Sequence, residues 1–79
     1  MGSKIPHDID VRLQQAQVDA KDAKEEADRA RRIWESDKGA MSAQQLERKE
    51  NDQRRAEAAV LGAQAALQQA RLDLEFTEQ

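Results

Sequence analysis

The chain has 79 residues, 37 % of them charged, and a net charge of −3 at neutral pH; its mean hydropathy is −1.00. It has no cysteine, no tyrosine, one tryptophan and one phenylalanine. Large side chains for an ordinary core are therefore missing, as are disulfides or a Cys-based zinc site in their place. Three glycines and one proline argue against a turn-rich β domain and against a flexible linker, so long helix is the default. No apolar run approaches the roughly 18 residues that a membrane span needs.

Met1-Gly2-Ser3 reads as a cloning scar, without the charged-then-apolar pattern of a leader. Residues 1–7 are taken as that scar and a helix lead-in, with His7 a solvated residue at the helix start. Ile9, Leu13, Ala16, Ala20, Ala23, Ala27, Ala30 and Trp34 then follow at alternating separations of four and three. That spacing is an uninterrupted heptad seam, and it predicts a first helix over about 8–37.

Between residues 38 and 42 the pattern stops. Gly39 offers a residue that enters the left-handed conformation without steric cost, as a helix C-terminus often needs. Ser42 with Gln45 forms an S-x-x-Q capping box at the next helix start, and Met41 and Leu46 are placed for the accompanying hydrophobic staple. The second helix is predicted over about 43–76, followed by a tail at 78–79. Its seam is Leu46, Lys49, Gln53, Ala56, Val60, Ala63, Leu67, Ala70 and Leu74, polar only at Lys49 and Gln53.

The two seams register with each other. In an antiparallel pair, facing residues have numbers that add to a constant, and Leu13 with Leu67, Ala16 with Ala63 and Ala23 with Ala56 add to 79 or 80. The implied fold point is Gly39–Ala40, where the capping signals also lie. The expected fold is all-α, an antiparallel two-helix coiled-coil hairpin over 8–77, roughly 45–50 Å long at about 1.5 Å per residue. An alanine seam brings the axes close but buries little, so the isolated rod is expected to be marginal. The pairs Glu25–Arg29, Asp28–Arg32 and Glu50–Arg54, four residues apart, are expected to support its middle.

Other residues lie off the seam. Val11, Val18, Leu61, Leu72 and Phe76 form a second apolar set in the half away from the turn. They read either as scattered surface apolars or as lateral contacts with a copy of the chain or a neighbouring domain. Residues 29–55 carry eight basic and five acidic side chains, leaving −6 for the rest. A basic tip suits nucleic acid or an acidic protein surface. Interleaved acids and the lack of exposed aromatics disfavour nucleic acid, and a mixed solvated face is the plain alternative. Enzymatic chemistry has no basis: Glu25 and Glu26 lie on a solvated helix, and no nucleophile has a basic partner. No cofactor or metal site is expected.

Residues 54–77 end in Ala65-Ala66-Leu67-Gln68-Gln69-Ala70-Arg71-Leu72-Asp73-Leu74-Glu75-Phe76-Thr77. This resembles the A-x-L-x-x-A-x-L-x-L-x-[YF]-T closure of the returning helix in periplasmic adaptor (membrane fusion, HlyD-type) proteins. Gly39-Ala40-Met41-Ser42 is similar to that family's Gly-Ala-Ile-Ser tip, and the resemblance covers about 9–77. It implies a non-enzymatic hairpin in the periplasm, an excised part of a protein anchored to the inner membrane. The hairpin of such a protein joins an inner-membrane transporter to a TolC-like outer-membrane channel in efflux or type I secretion, and neighbouring protomers pack side by side. The family's R-x3-L-x6-S tip pattern puts Arg31 at the arginine and Glu35 at the leucine. Arg29 and Ile33 keep the first spacing with a loop two residues longer before Ser42. The tip residues implied are Arg29, Arg31, Ile33, Glu35, Lys38, Met41, Ser42 and Arg48; Val11, Val18, Leu61, Leu72 and Phe76 suit lateral packing. A tRNA-synthetase-like nucleic-acid arm and a generic dimerising spacer are the alternatives.

Overall fold

A computed structural model describes residues 7–77; residues 1–6 of the stretch read as scar and lead-in, and the tail at 78–79, lie outside the described residues. The fold is the expected all-α hairpin, with α1 at His7–Ser36, a three-residue 3₁₀ turn at Lys38–Ala40 and α2 at Ala43–Thr77. The Cα atoms extend over 62 × 15 × 13 Å. The rod exceeds the expected length because α2 alone has 35 residues, about 52 Å of helix, and the turn lies beyond its start.

Both seams face inward along their whole length. Ala16, Ala27 and Ala30 are buried, and every other seam residue is half-buried. Among the described residues no large side chain is fully buried. The chain is thus held by a line of contacts, with alanine allowing the axes to approach and the leucines, Ile9, Val60 and Trp34 contributing most apolar area.

The turn corrects one expectation. Gly39 does not adopt a positive φ; instead the chain reverses through two extended residues, Asp37 (φ −153°, ψ 92°) and Met41 (φ −153°, ψ 144°), on either side of the 3₁₀ turn. The Asp37 carboxylate accepts a 3.0 Å hydrogen bond from the Gly39 amide, which makes Asp37 the turn's N-cap. A Cβ on Gly39 would stand 3.3 Å from that oxygen. Glycine is useful here because it leaves room for the cap.

The second helix begins as expected. The Ser42 amide donates to Gln45 Oε1 at 2.9 Å and the Gln45 amide donates to Ser42 Oγ at 3.1 Å. This reciprocal capping box satisfies two of the amides that a helix start leaves without partners, at about 1 kcal/mol.

Candidate functional site

The charged residues do not make the pairs expected within each helix. Glu25–Arg29, Asp28–Arg32 and Glu50–Arg54 are absent among the described residues. In their place, Arg29 meets Glu26 at 3.4 Å and Arg31 meets Asp28 at 2.8 Å, each one turn apart. Arg54 donates to Asn51. The cause lies across the seam. Arg31 reaches over to Glu50 at 3.1 Å and to Gln53 at 3.3 Å, while Lys49 reaches back to Glu26 at 3.1 Å.

These contacts form a polar belt around the layers where the α2 seam carries Lys49 and Gln53. Arg31 and Glu50 close one flank, and Glu26 and Lys49 close the other. Beneath the belt lie the two most buried of the described residues, Ala27 at 0 % and Ala30 at 3 % exposure. The aliphatic stems of Lys49 and Arg31 can cover alanine while their charged ends stay in water. The signal in the sequence is the pair of polar residues in an otherwise apolar seam; the spacing assigns Asp28 and Glu50 to other arginines on their own helices and leaves Glu26 solvated, whereas Arg31 takes the first two and Lys49 the third.

A hydrogen bond from Lys49, the Lys49 charge and then the Arg29 charge hold the Glu26 carboxyl below its ordinary value of 4.5. A depressed folded-state pKa contributes stability that is present above the ordinary value and lost as pH falls through the lowered one. We expect Glu26→Gln to flatten the fall in melting temperature across that acid window. Thermal melts of both chains from neutral to acid pH check this, and parallel curves would remove Glu26 from the account.

The belt also sorts the tip residues. The Arg31 side chain is 40 % exposed and held by Asp28, Glu50 and Gln53, whereas that of Arg29 is 62 % exposed with one long ion pair. Glu35, Lys38 and Arg48 are exposed, and Ile33 and Met41 are half-buried. Ser42 is exposed but occupied by its cap. Arg29 with Ile33 and Arg31 with Glu35 each stand one turn apart, on opposite flanks of α1. Arg31, Lys49 and Arg29 all have carboxylate partners, so the cationic field of the tip is weaker than its residue count suggests.

At the other end Val11, Val18, Leu61, Leu72 and Phe76 are all exposed, Leu61 at 68 % and Phe76 at 76 %. In the heptad frame Val11 and Val18 lie on the edge of α1 away from α2. Leu61, Leu72 and Phe76 lie on the edge of α2 away from α1. Gly62 shares that second edge, and a Cβ there would meet nothing within 4 Å. A helix-interior glycine costs about 1 kcal/mol relative to alanine, and nothing inside the hairpin requires it.

No helix among the described residues is long and apolar enough to cross a membrane. A family model described as "RND MFP, alpha-helical hairpin domain" matches residues 6–77. Comparison with curated proteins and with solved structures gave no match.

Proposed function

Because the chain belongs to the family of RND membrane fusion protein α-helical hairpin domains, we propose that residues 8–77 form the hairpin of an adaptor in a tripartite efflux or secretion assembly. The family is periplasmic, and its hairpins are structural, adaptor domains. In this reading the tip docks on a TolC-like outer-membrane channel, neighbouring protomers pack along the hairpin edges, and domains beyond this chain engage and anchor beside an inner-membrane transporter. The observation that carries the reading is the family match over nearly the whole rod. The solvent-facing Arg29, Glu35, Lys38 and Arg48 around half-buried Ile33 and Met41 supply a polar surface with a small apolar centre for docking.

Arg29, Met41 and Arg48 are the contacts to test, since substituting Arg31 would also disturb the belt. In a full-length adaptor, Arg29→Glu combined with Met41→Ala is expected to abolish channel cross-linking and lower drug export several-fold. Circular dichroism of the hairpin should stay unchanged. Export and cross-linking at the level of the parent would overturn the tip assignment.

A further inference from the structure

We infer that the hairpin has a second seam register, in which α2 stands about one turn further toward the tip, and that the Glu26–Lys49 pair is the latch that holds α2 back from it.

The contacts of the belt slant in opposite directions. Level seam residues add to 79 or 80. Arg31 bonds to Glu50 and Gln53, and those numbers add to 81 and 84. Glu26 bonds to Lys49, and these add to 75. Both bonds run toward the open end, one from α1 to α2 and the other from α2 to α1, so they act as crossed struts. A slide of α2 toward the tip brings Glu50 and Gln53 to either side of the level of Arg31 and carries Lys49 away from Glu26. A slide toward the open end does the reverse.

The seam itself permits the tipward slide. Shifted by half a heptad, about 5 Å, level residues add to 83. Every α1 seam residue from Ile9 to Trp34 again meets a seam residue of α2, now Leu13 with Ala70, Ala16 with Leu67 and Ala23 with Val60. Leu74 gains Ile9, while Leu46 loses Trp34 to Lys49, a cation suited to an indole face. The opposite slide is poorer, because it sets Trp34 against Ser42. Apolar content is nearly equal in the observed and tipward registers, so one partly exposed ion pair is enough to choose between them. The residues that link the helices, 37–42, bridge the step at about 3.3 Å each.

One-turn shifts of packed helices are discrete steps and not graded ones. In the shifted register the start of α2 stands about 5 Å further past the end of α1, which carries Met41 and Ser42 to the apex. A change at Glu26 is thus read out as a different surface at the tip. Only the consequence for docking rests on the function proposed above; the register does not.

The chain has no cysteine, so cysteine pairs across the seam report its register. A disulfide needs Cα atoms within about 7 Å. Ala16→Cys with Ala63→Cys is level in the observed register, and Ala20→Cys with Ala63→Cys in the shifted one. At micromolar concentration in a thiol–disulfide buffer, the parent should close the first pair several-fold more than the second. Glu26→Lys sets two cations against each other and should move that ratio several-fold toward the second pair. Adding Lys49→Glu remakes the strut with its charges exchanged and should restore the parent's ratio. Arg31→Ala should leave the second pair at the parent's yield, because a tipward slide does not stretch the Arg31 bonds. An unchanged ratio in Glu26→Lys, or both pairs weakening alike, would overturn the inference. Loss of helicity in Glu26→Lys by circular dichroism would do the same, because the shifted register is a folded alternative. So would an Arg31→Ala chain that closes the second pair as well as Glu26→Lys does. Channel cross-linking is read in the full-length adaptor, so docking and register can fail separately.

Discussion

Ala16→Asp is expected to unfold the isolated hairpin at neutral pH. Ala16 is 8 % exposed and faces Ala63, with the Leu13–Leu67 layer on one side and the Ala20–Val60 layer on the other. A carboxylate placed there is too short to reach water past these neighbours, and an unpaired buried charge costs about 3 kcal/mol or more. The lower helix propensity of aspartate adds about 0.6 kcal/mol. Because one small core supplies only a few kcal/mol in total, the sum exceeds what an alanine seam provides. Ala58→Asp, on the exposed edge of α2, carries only the propensity term and should stay folded. Circular dichroism melts of both variants check the prediction. Acid should restore part of the Ala16→Asp signal, since burial raises that carboxyl's pKa and the penalty fades as pH falls through it. Equal melting of the two variants would mean that the seam does not hold the fold.

That contrast follows from what the residue spacing makes legible. A heptad seam is a property of one chain read alone, and two seams that add to a constant give pairing and orientation without coordinates. The Ser42–Gln45 box is equally local, and it forms as written. The turn was harder to read because Gly39 offers two solutions. A left-handed glycine ends many helices, but Asp37 next to it can cap a 3₁₀ turn, and that solution needs only two extended residues. The ion pairs were harder for a related reason. Spacing of four counts partners along one helix, whereas Arg31 and Lys49 have acceptors on the other helix at similar reach. Local counting cannot rank such competitors, and the cross-helix partners prevail where the seam turns polar. The exposure of Val18 and Leu61 was legible from the seam.

Replacing both Lys49 and Gln53 by leucine is expected to stabilise the hairpin, raising its melting temperature by on the order of 10 °C. Each leucine would add about 1 kcal/mol of partly buried apolar area, and about 1 kcal/mol moves a domain of this size by roughly 4–8 °C. Glu26 and Glu50 would lose Lys49 and the Gln53-braced Arg31 geometry, but both are partly exposed and water replaces their partners cheaply. Arg31→Ala alone should act in the opposite direction, by about 1 kcal/mol, because it removes three bonds and the stem over Ala27 without adding apolar area. Melting temperatures of the two variants, at low and high salt, separate these terms: the leucine variant loses the Lys49–Glu26 pair but keeps those of Arg31, so it should weaken less with salt than the parent. A leucine variant that melts below the parent would show the belt to be stabilising outright. The expected ordering gives the belt a different role. Ala16–Ala63, Ala20–Val60 and Ala23–Ala56 are near-equivalent layers, so a seam of alanine alone distinguishes poorly between one register and the next. A Lys49 that must meet Glu26 and an Arg31 that must meet Glu50 are satisfied in only one register, at a cost in stability.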